Sequence, residues 1–207
     1  MKKSLVIVAF LSIASLLLNS CTDKQSSTQT NKETPKQVLA IEVAEINYLE
    51  IGKDLAIQTK SSLGKHLTNA IAEKGSAGAV EFCNIKAITI TDSMSMVLDA
   101  KIKRVSDKPR NQNNTANEAE FAYIQKWKQA KANGEKQPPI VTEIDGKMVG
   151  YYPIITNQMC MQCHGIPDVD IDTATLKKIK KLYPTDQAIG YLDNEIRGIF
   201  VVEMNKK

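Results

Sequence analysis

Cys160-Met161-Gln162-Cys163-His164 places two thiols three positions apart, with an imidazole directly after the second. That spacing has a chemical reason: two thiols so arranged add across the two vinyl groups of a haem, and the adjacent histidine then reaches the iron as a ligand. A disulfide redox pair or half of a zinc site would use the same residues differently. A thioredoxin-type pair belongs at a strand-to-helix turn of a βαβ unit, whereas the elements around this motif read as antiparallel. Zinc needs a second pair of ligands, and only Cys83 and His66 remain to supply them. The motif therefore implies one covalent c-type haem, attached through Cys160 and Cys163 and ligated by His164.

The chain holds four cysteines and two histidines, few enough to assign one by one. Cys21 closes a segment that begins with Lys2 and Lys3, continues as an apolar run over residues 5–18, and ends Leu18-Asn19-Ser20-Cys21. This reads as a bacterial lipoprotein signal over residues 1–20, with Cys21 acylated as the first residue of the mature chain. The bland alternative is a plain signal or uncleaved anchor with a free Cys21. The apolar run is short for a membrane span, while several acyl chains suffice for stable anchoring. Residues 21–36 are polar and rich in Ser, Thr, Gln and Lys, as a flexible tether requires. The folded part, residues 37–207, is thus expected outside the cytoplasm, held at the periplasmic side or at the outer membrane.

Cys83 is then an odd thiol in an oxidising compartment. It is either a small buried hydrophobe between Phe82 and Ile85 or a ligand to iron. Other donors for the second axial position are His66 and a methionine such as Met94, Met96, Met148 or Met159. Met159 and Met161 lie too close to the attachment segment to swing easily to its far side.

With 207 residues, 43% hydrophobic and 24% charged, the chain suits one globular domain with its own core. Lys and Arg number 27 against 23 Asp and Glu, a net +4, which falls to +2 once residues 1–20 and their two lysines are removed. Two haem propionates would roughly cancel that. So slight an excess, with aromatics at 5%, argues against a nucleic-acid partner.

The elements that must position these groups follow from periodicity. Residues 38–74 lack proline and carry apolar residues at helical spacing, among them Leu63, Leu67, Ala70 and Ile71. This predicts a long N-terminal helix, bent at Gly64 and ending at Gly75, followed by a short helix over residues 77–87 with Val80 and Cys83 on one face. Leu98, Ala100 and Ile102 alternate with polar residues as in a half-buried strand. Thr115 to Glu118 has the form of a capping box opening a helix with Phe121, Ile124 and Trp127 on its apolar face. Asp145-Gly146 turns a hairpin between residues 140–144 and 147–155. A helix over residues 174–182 is capped by Asp172, and Asp193-Asn194 turns a second hairpin between residues 187–192 and 195–203. The sum is an α+β fold of about five antiparallel strands with a long N-terminal helix and flanking helices.

Longer stretches carry a resemblance: Gly78-Ala79-Val80-Glu81-Phe82-Cys83, Arg104-Val105-Ser106 with Arg110-Asn111, Cys160 to Gly165, and Tyr183 to Tyr191 followed by Ile196-Arg197-Gly198. With them the chain resembles a family of small bacterial extracytoplasmic proteins that carry one c-type haem in a PAS-like fold and are regarded as candidate redox or gas sensors. The resemblance spans most of residues 38–204. It implies that iron is bound by His164 and by Cys83. Arg104 and Arg110 become candidates to meet the haem propionates, because a planar guanidinium can pair both oxygens of a carboxylate. The family's Arg-Asn-Pro loop departs here, with Gln112 after Asn111.

A thiolate opposite histidine favours ferric iron and lowers the potential, which suits a switch better than high-potential shuttling. The expectation is a membrane-tethered sensor of redox state or of a diatomic gas that signals through a protein partner, since the chain lacks a kinase, cyclase or DNA-binding module. The alternative is a low-potential electron carrier docking to a membrane or surface partner. A peroxidase-type enzyme would need an open iron site and a distal acid/base, neither of which is evident, so the chain is not expected to be an enzyme.

Overall fold

The structure is a computed structural model and describes residues 45–207. The signal, Cys21 and the tether expected over residues 1–36 lie outside the described residues. Helix α1 (Tyr48–Val97) begins where the Asn47 side chain accepts a hydrogen bond from the amide of Glu50 at 3.1 Å, and the part of the helix expected over residues 38–44 lies outside the described residues. It is two helices joined at Gly75, whose φ of 65° and ψ of −180° leave helical geometry. Residues with a Cβ avoid that conformation, so the bend expected at Gly64 falls at Gly75 instead. The second half also runs on to Val97, well past the expected end near residue 87. Its β-branched stretch stays helical as Thr91 and Ser95 donate back to the carbonyls of Ala87 and Thr91, at 2.9 and 3.1 Å.

Strands β1 (Lys101–Val105), β2 (Ile140–Ile144), β3 (Lys147–Ile155) and β4 (Ile196–Asn205) form one antiparallel sheet in the order β1-β4-β3-β2. The first hairpin is as expected, with Asp145 and Gly146 at φ 49° and 74°. The second is not. Residues 187–192 form no strand, leaving four rather than about five, because their backbone is engaged elsewhere: the amides of Gly190 and Tyr191 donate to the carbonyls of Gly165 and His164 at 2.8 and 2.9 Å.

Each face of the sheet is covered by a helix. Helix α2 (Glu118–Ala132) sets Ile124 and Trp127 against Val105, Val149, Tyr151, Ile199 and Val201. Its cap is Asn117 with Glu120, not Thr115 with Glu118, and Phe121, expected on the apolar face, is 47% exposed while Glu120 is buried beside Ile124 and Trp127. The first half of α1 covers the other face, where Ala56, Leu55 and Leu63 meet Ile102, Tyr152, Phe200 and Val202. A Cβ on Gly52 would collide with the Tyr152 ring, whose hydroxyl donates to the carbonyl of Leu49 at 3.1 Å. Helices α3 (Gln158–His164) and α4 (Thr173–Leu182) complete the fold, α4 capped by Asp172 as expected. Among the described residues no helix is long and apolar enough to cross a membrane.

Candidate functional site

Helix α3 is the Cys160 to His164 motif wound into two turns, so Cys160, Cys163 and His164 share one face at i, i+3 and i+4. Asn157 caps it, its side-chain oxygen accepting from the Cys160 amide at 3.3 Å, and the Gly165 amide closes the last turn on Met161. Met161, on the opposite side, is buried against Ala188 and Tyr191 and anchors the helix. The chain beyond α4 wraps around this helix end. The backbone that fails to become a fifth strand is therefore the backbone that holds the motif.

The motif faces a cavity of about 280 Å³. Cys160, Cys163 and His164 line it from α3, and Cys83, with Ala79, Val80 and Ala87, lines it from the second half of α1. Arg104, Val105 and Ser106 of β1 and the following loop contribute, as do Arg110, Ile154 and Ile155 at the end of β3, Tyr183, and Arg197 of β4. Leu67, Ile71, Ile88 and Met159 add apolar wall. All six residues singled out from the sequence for this site, Cys83, Cys160, Cys163, His164, Arg104 and Arg110, therefore border one cavity although they come from separate elements.

The other donors divide. Met159 borders the cavity, whereas Met96 is 78% exposed and Met148 packs beneath the first half of α1. His66 is exposed on α1 and stacks on Phe82 at 6.2 Å, and neither it nor Met94 lines the cavity. Among the described residues no three His, Cys, Asp or Glu side chains are grouped to hold a metal ion.

His164 is oriented from behind. Its Nδ1 lies 2.7 Å from the carbonyl oxygen of Ala188. A carbonyl only accepts, so Nδ1 carries the proton and Nε2 keeps its lone pair. Burial holds His164 well below the ordinary imidazole range, and the cations Arg110 and Arg197 act in the same direction. The ring thus stays neutral, the form in which histidine ligates a metal. Burial likewise pushes the Cys163 thiol up to about 11 and raises Cys83, for which the nearby Arg104 and Arg110 act in opposition.

The arginines differ from one another. Arg110 is paired with Asp186 through Nε and Nη2, at 3.2 and 3.0 Å, and its Nη2 also reaches the carbonyls of Cys163 and Ala188 at 2.6 and 3.1 Å. Arg104 and Arg197 each bury an Nε that finds no hydrogen-bond partner among the described residues. Burial also depresses both below the usual guanidinium range. Arg197 was not singled out as a site residue from the sequence, although a lone cation in the apolar run of β4 was a visible signal. Asp186, only 6% exposed, was missed because its partner lies far away in the chain.

The model of the Tll0287-like family, described as Tll0287, matches residues 5–205. The chain belongs to the Tll0287-like family. Its fold is similar to the crystal structure of the cyanobacterial heme-protein Tll0287, with a TM-score of 0.53 and 17% identity over 78% of this chain and 98% of that one. At that identity the likeness shows the shared fold. No curated protein matches the chain.

Proposed function

We propose that this Tll0287-like chain is a c-type haem protein that senses redox state or a diatomic gas on the extracytoplasmic face of a membrane. The observation that carries this is the convergence of Cys160, Cys163, His164 and Cys83 on one cavity, with buried arginine nitrogens left unpaired beside it. Haem fits these residues. The Cys160 and Cys163 thiols would form thioethers with its vinyl groups, and the free Nε2 of His164 would take the iron. Leu67, Ile71, Ile154 and Ile155 would cover its apolar face, and the unpaired Nε groups of Arg104 and Arg197 would donate to its propionates. Bound there, haem supplies an iron that changes oxidation state and accepts diatomic gases. The relative Tll0287 is described as a heme-protein, which supports the assignment.

In this proposal Cys83 would supply the second protein ligand to the iron, as a thiolate that would favour the ferric state and that reduction would release, leaving room for a gas. The helix carrying Cys83 meets a break at Gly75, so its release can shift the second half of α1 on its own. A lipid on Cys21 holds the domain at the membrane, and a protein partner reads the change. The low-potential carrier is the competing outcome of the same test.

Absorption and EPR spectra of wild type and Cys83→Ala in both oxidation states test the reading. The variant should lose the low-spin thiolate signature of the ferric form, and an unchanged spectrum would remove Cys83 from the iron. A reduced wild type that keeps both axial ligands would mark a carrier. A mature protein without the added mass of one haem, despite coexpressed maturation machinery, would overturn the covalent assignment.

A further inference from the structure

The family resemblance makes Arg110 a candidate for a propionate, yet its guanidinium is already surrounded by protein oxygens. Its side chain is 12% exposed, and its charge faces the buried carboxylate of Asp186 at 3.0 Å. Asp186 in turn accepts from the amide of Ala188 at 2.8 Å, and the carbonyl of Ala188 takes hydrogen bonds from both Arg110 Nη2, at 3.1 Å, and His164 Nδ1, at 2.7 Å. Arg110, Asp186 and the Ala188 backbone close a ring behind the imidazole.

We propose that Arg110 tunes His164 as an iron ligand through the Ala188 carbonyl that the two share, with Asp186 setting how much of the arginine charge that carbonyl feels. The proposal rests on the preceding reading that His164 binds iron. A carbonyl already receiving a charged donor is a weaker acceptor for a second one. The Nδ1 proton therefore stays firmly on His164, the ring gains little imidazolate character, and its donation through Nε2 is moderated. A weaker donor stabilises ferric iron less, so the effect opposes that of the Cys83 thiolate and brings reduction within easier reach. Arg110 also braces the carbonyl of Cys163 at 2.6 Å, fixing the end of α3 against the same ring. It is a positioning residue, one step removed from the ligand.

The test is spectroelectrochemistry of the haem-loaded protein with an electrode as the electron source. The couple transfers one electron, and the Nδ1 proton stays on His164 in both states. Arg110→Leu should lower the ratio of reduced to oxidised protein about tenfold at a fixed potential, equivalent to about 59 mV for a one-electron couple. Asp186→Asn should raise the ratio, because an uncompensated Arg110 polarises the carbonyl more strongly. Arg110→Lys, which keeps a cationic donor, should recover most of the wild-type ratio even if it melts earlier.

The deciding variant is the double substitution Arg110→Leu with Asp186→Asn. It leaves the net charge unchanged and strands no buried ion, so it is also the variant most apt to fold. A plain electrostatic field would give it the wild-type ratio, whereas loss of the shared hydrogen bond keeps its ratio low. A wild-type ratio in the double variant, or shifts of the same sign in both single variants, overturns the proposal. Failure of the underlying reading looks different: His164→Ala would then leave the ferric low-spin spectrum as it was.

Discussion

Before Gly75, α1 lays Ala56, Leu55 and Leu63 on a finished apolar layer formed by Ile102, Tyr152, Phe200 and Val202. After Gly75 the same helix buries Ala79 and Val80, the latter against Ile171, Leu176, Ile179 and Tyr183, and turns Cys83 to a cavity. The first half is fixed mainly by burial of its own side chains in that layer, and only its last turns, through Leu67 and Ile71, reach the cavity. The second is fixed in part by whatever fills the cavity. One helix is thus divided into a structural half and a half whose stability reports occupancy, and the break at Gly75 lets them respond separately.

The strongest way to break this contrast is to attack the structural half alone. Phe200→Ala removes a nearly buried ring from the layer beneath the first half, at a cost of about 3–5 kcal/mol. Urea unfolding should show that loss while the absorption spectrum of the folded, haem-loaded fraction stays as in wild type. A spectrum altered in proportion to the stability loss would mean that the two halves are not separable.

The converse experiment empties the cavity. In Cys160→Ala with Cys163→Ala, the amides of the second half of α1 should exchange hydrogen about 100-fold faster than in the loaded wild type, as expected where loading contributes about 2.7 kcal/mol to the folded state. Amides of residues 48–63, ahead of the cavity-lining Leu67 and Ile71, should change little. Uniform acceleration along α1 would remove the distinction. Gly75→Ala tests the joint itself. Space is open around this glycine, so the cost is backbone strain at φ 65° alone, of order 1–3 kcal/mol. A stability unchanged within error would show that the break relaxes without resistance.

What the sequence revealed followed the range of the interactions. Asp145-Gly146 fixed the first hairpin to the residue because turn chemistry is local. Cys160, Cys163 and His164 were legible because their spacing within one helix is itself the chemistry. Residues 187–192 were misread as a strand because their alternation is real, while the partners of their backbone, His164 and Gly165, are set by tertiary structure. The Thr- and Ser-containing end of α1 looked like its boundary because β-branched residues disfavour a helix by themselves, while the Ser95 hydroxyl that ties this end to the Ile102 backbone at 3.0 and 3.2 Å acts across to the next element. The pairing of Arg110 with Asp186 spans 76 positions, and neither residue type predicts the other.

The smallest effect lies at the wall against which the second half of α1 rests. Asp172 caps α4, accepting from the Thr175 hydroxyl at 2.7 Å and from its amide at 2.9 Å. The hydrogen bond from the Thr175 side chain, followed by that from its backbone, holds the Asp172 carboxyl below the usual range. The stabilisation this brings is full above the unfolded-state value, about 3.9, and is lost as pH falls through the lowered folded value. Asp172→Ala should cost about 1 kcal/mol at neutral pH, while Asp172→Asn keeps an equivalent cap that does not titrate. Urea midpoints measured between about pH 6 and about pH 3 should therefore show wild type losing ground to the Asn variant only at the acid end. Because Leu176 and Ile179 of α4 pack on Val80, the Ala variant should also quicken exchange in the second half of α1 before the first. If the first half loosened equally, α4 would be supporting the whole helix and the division at Gly75 would lose its meaning.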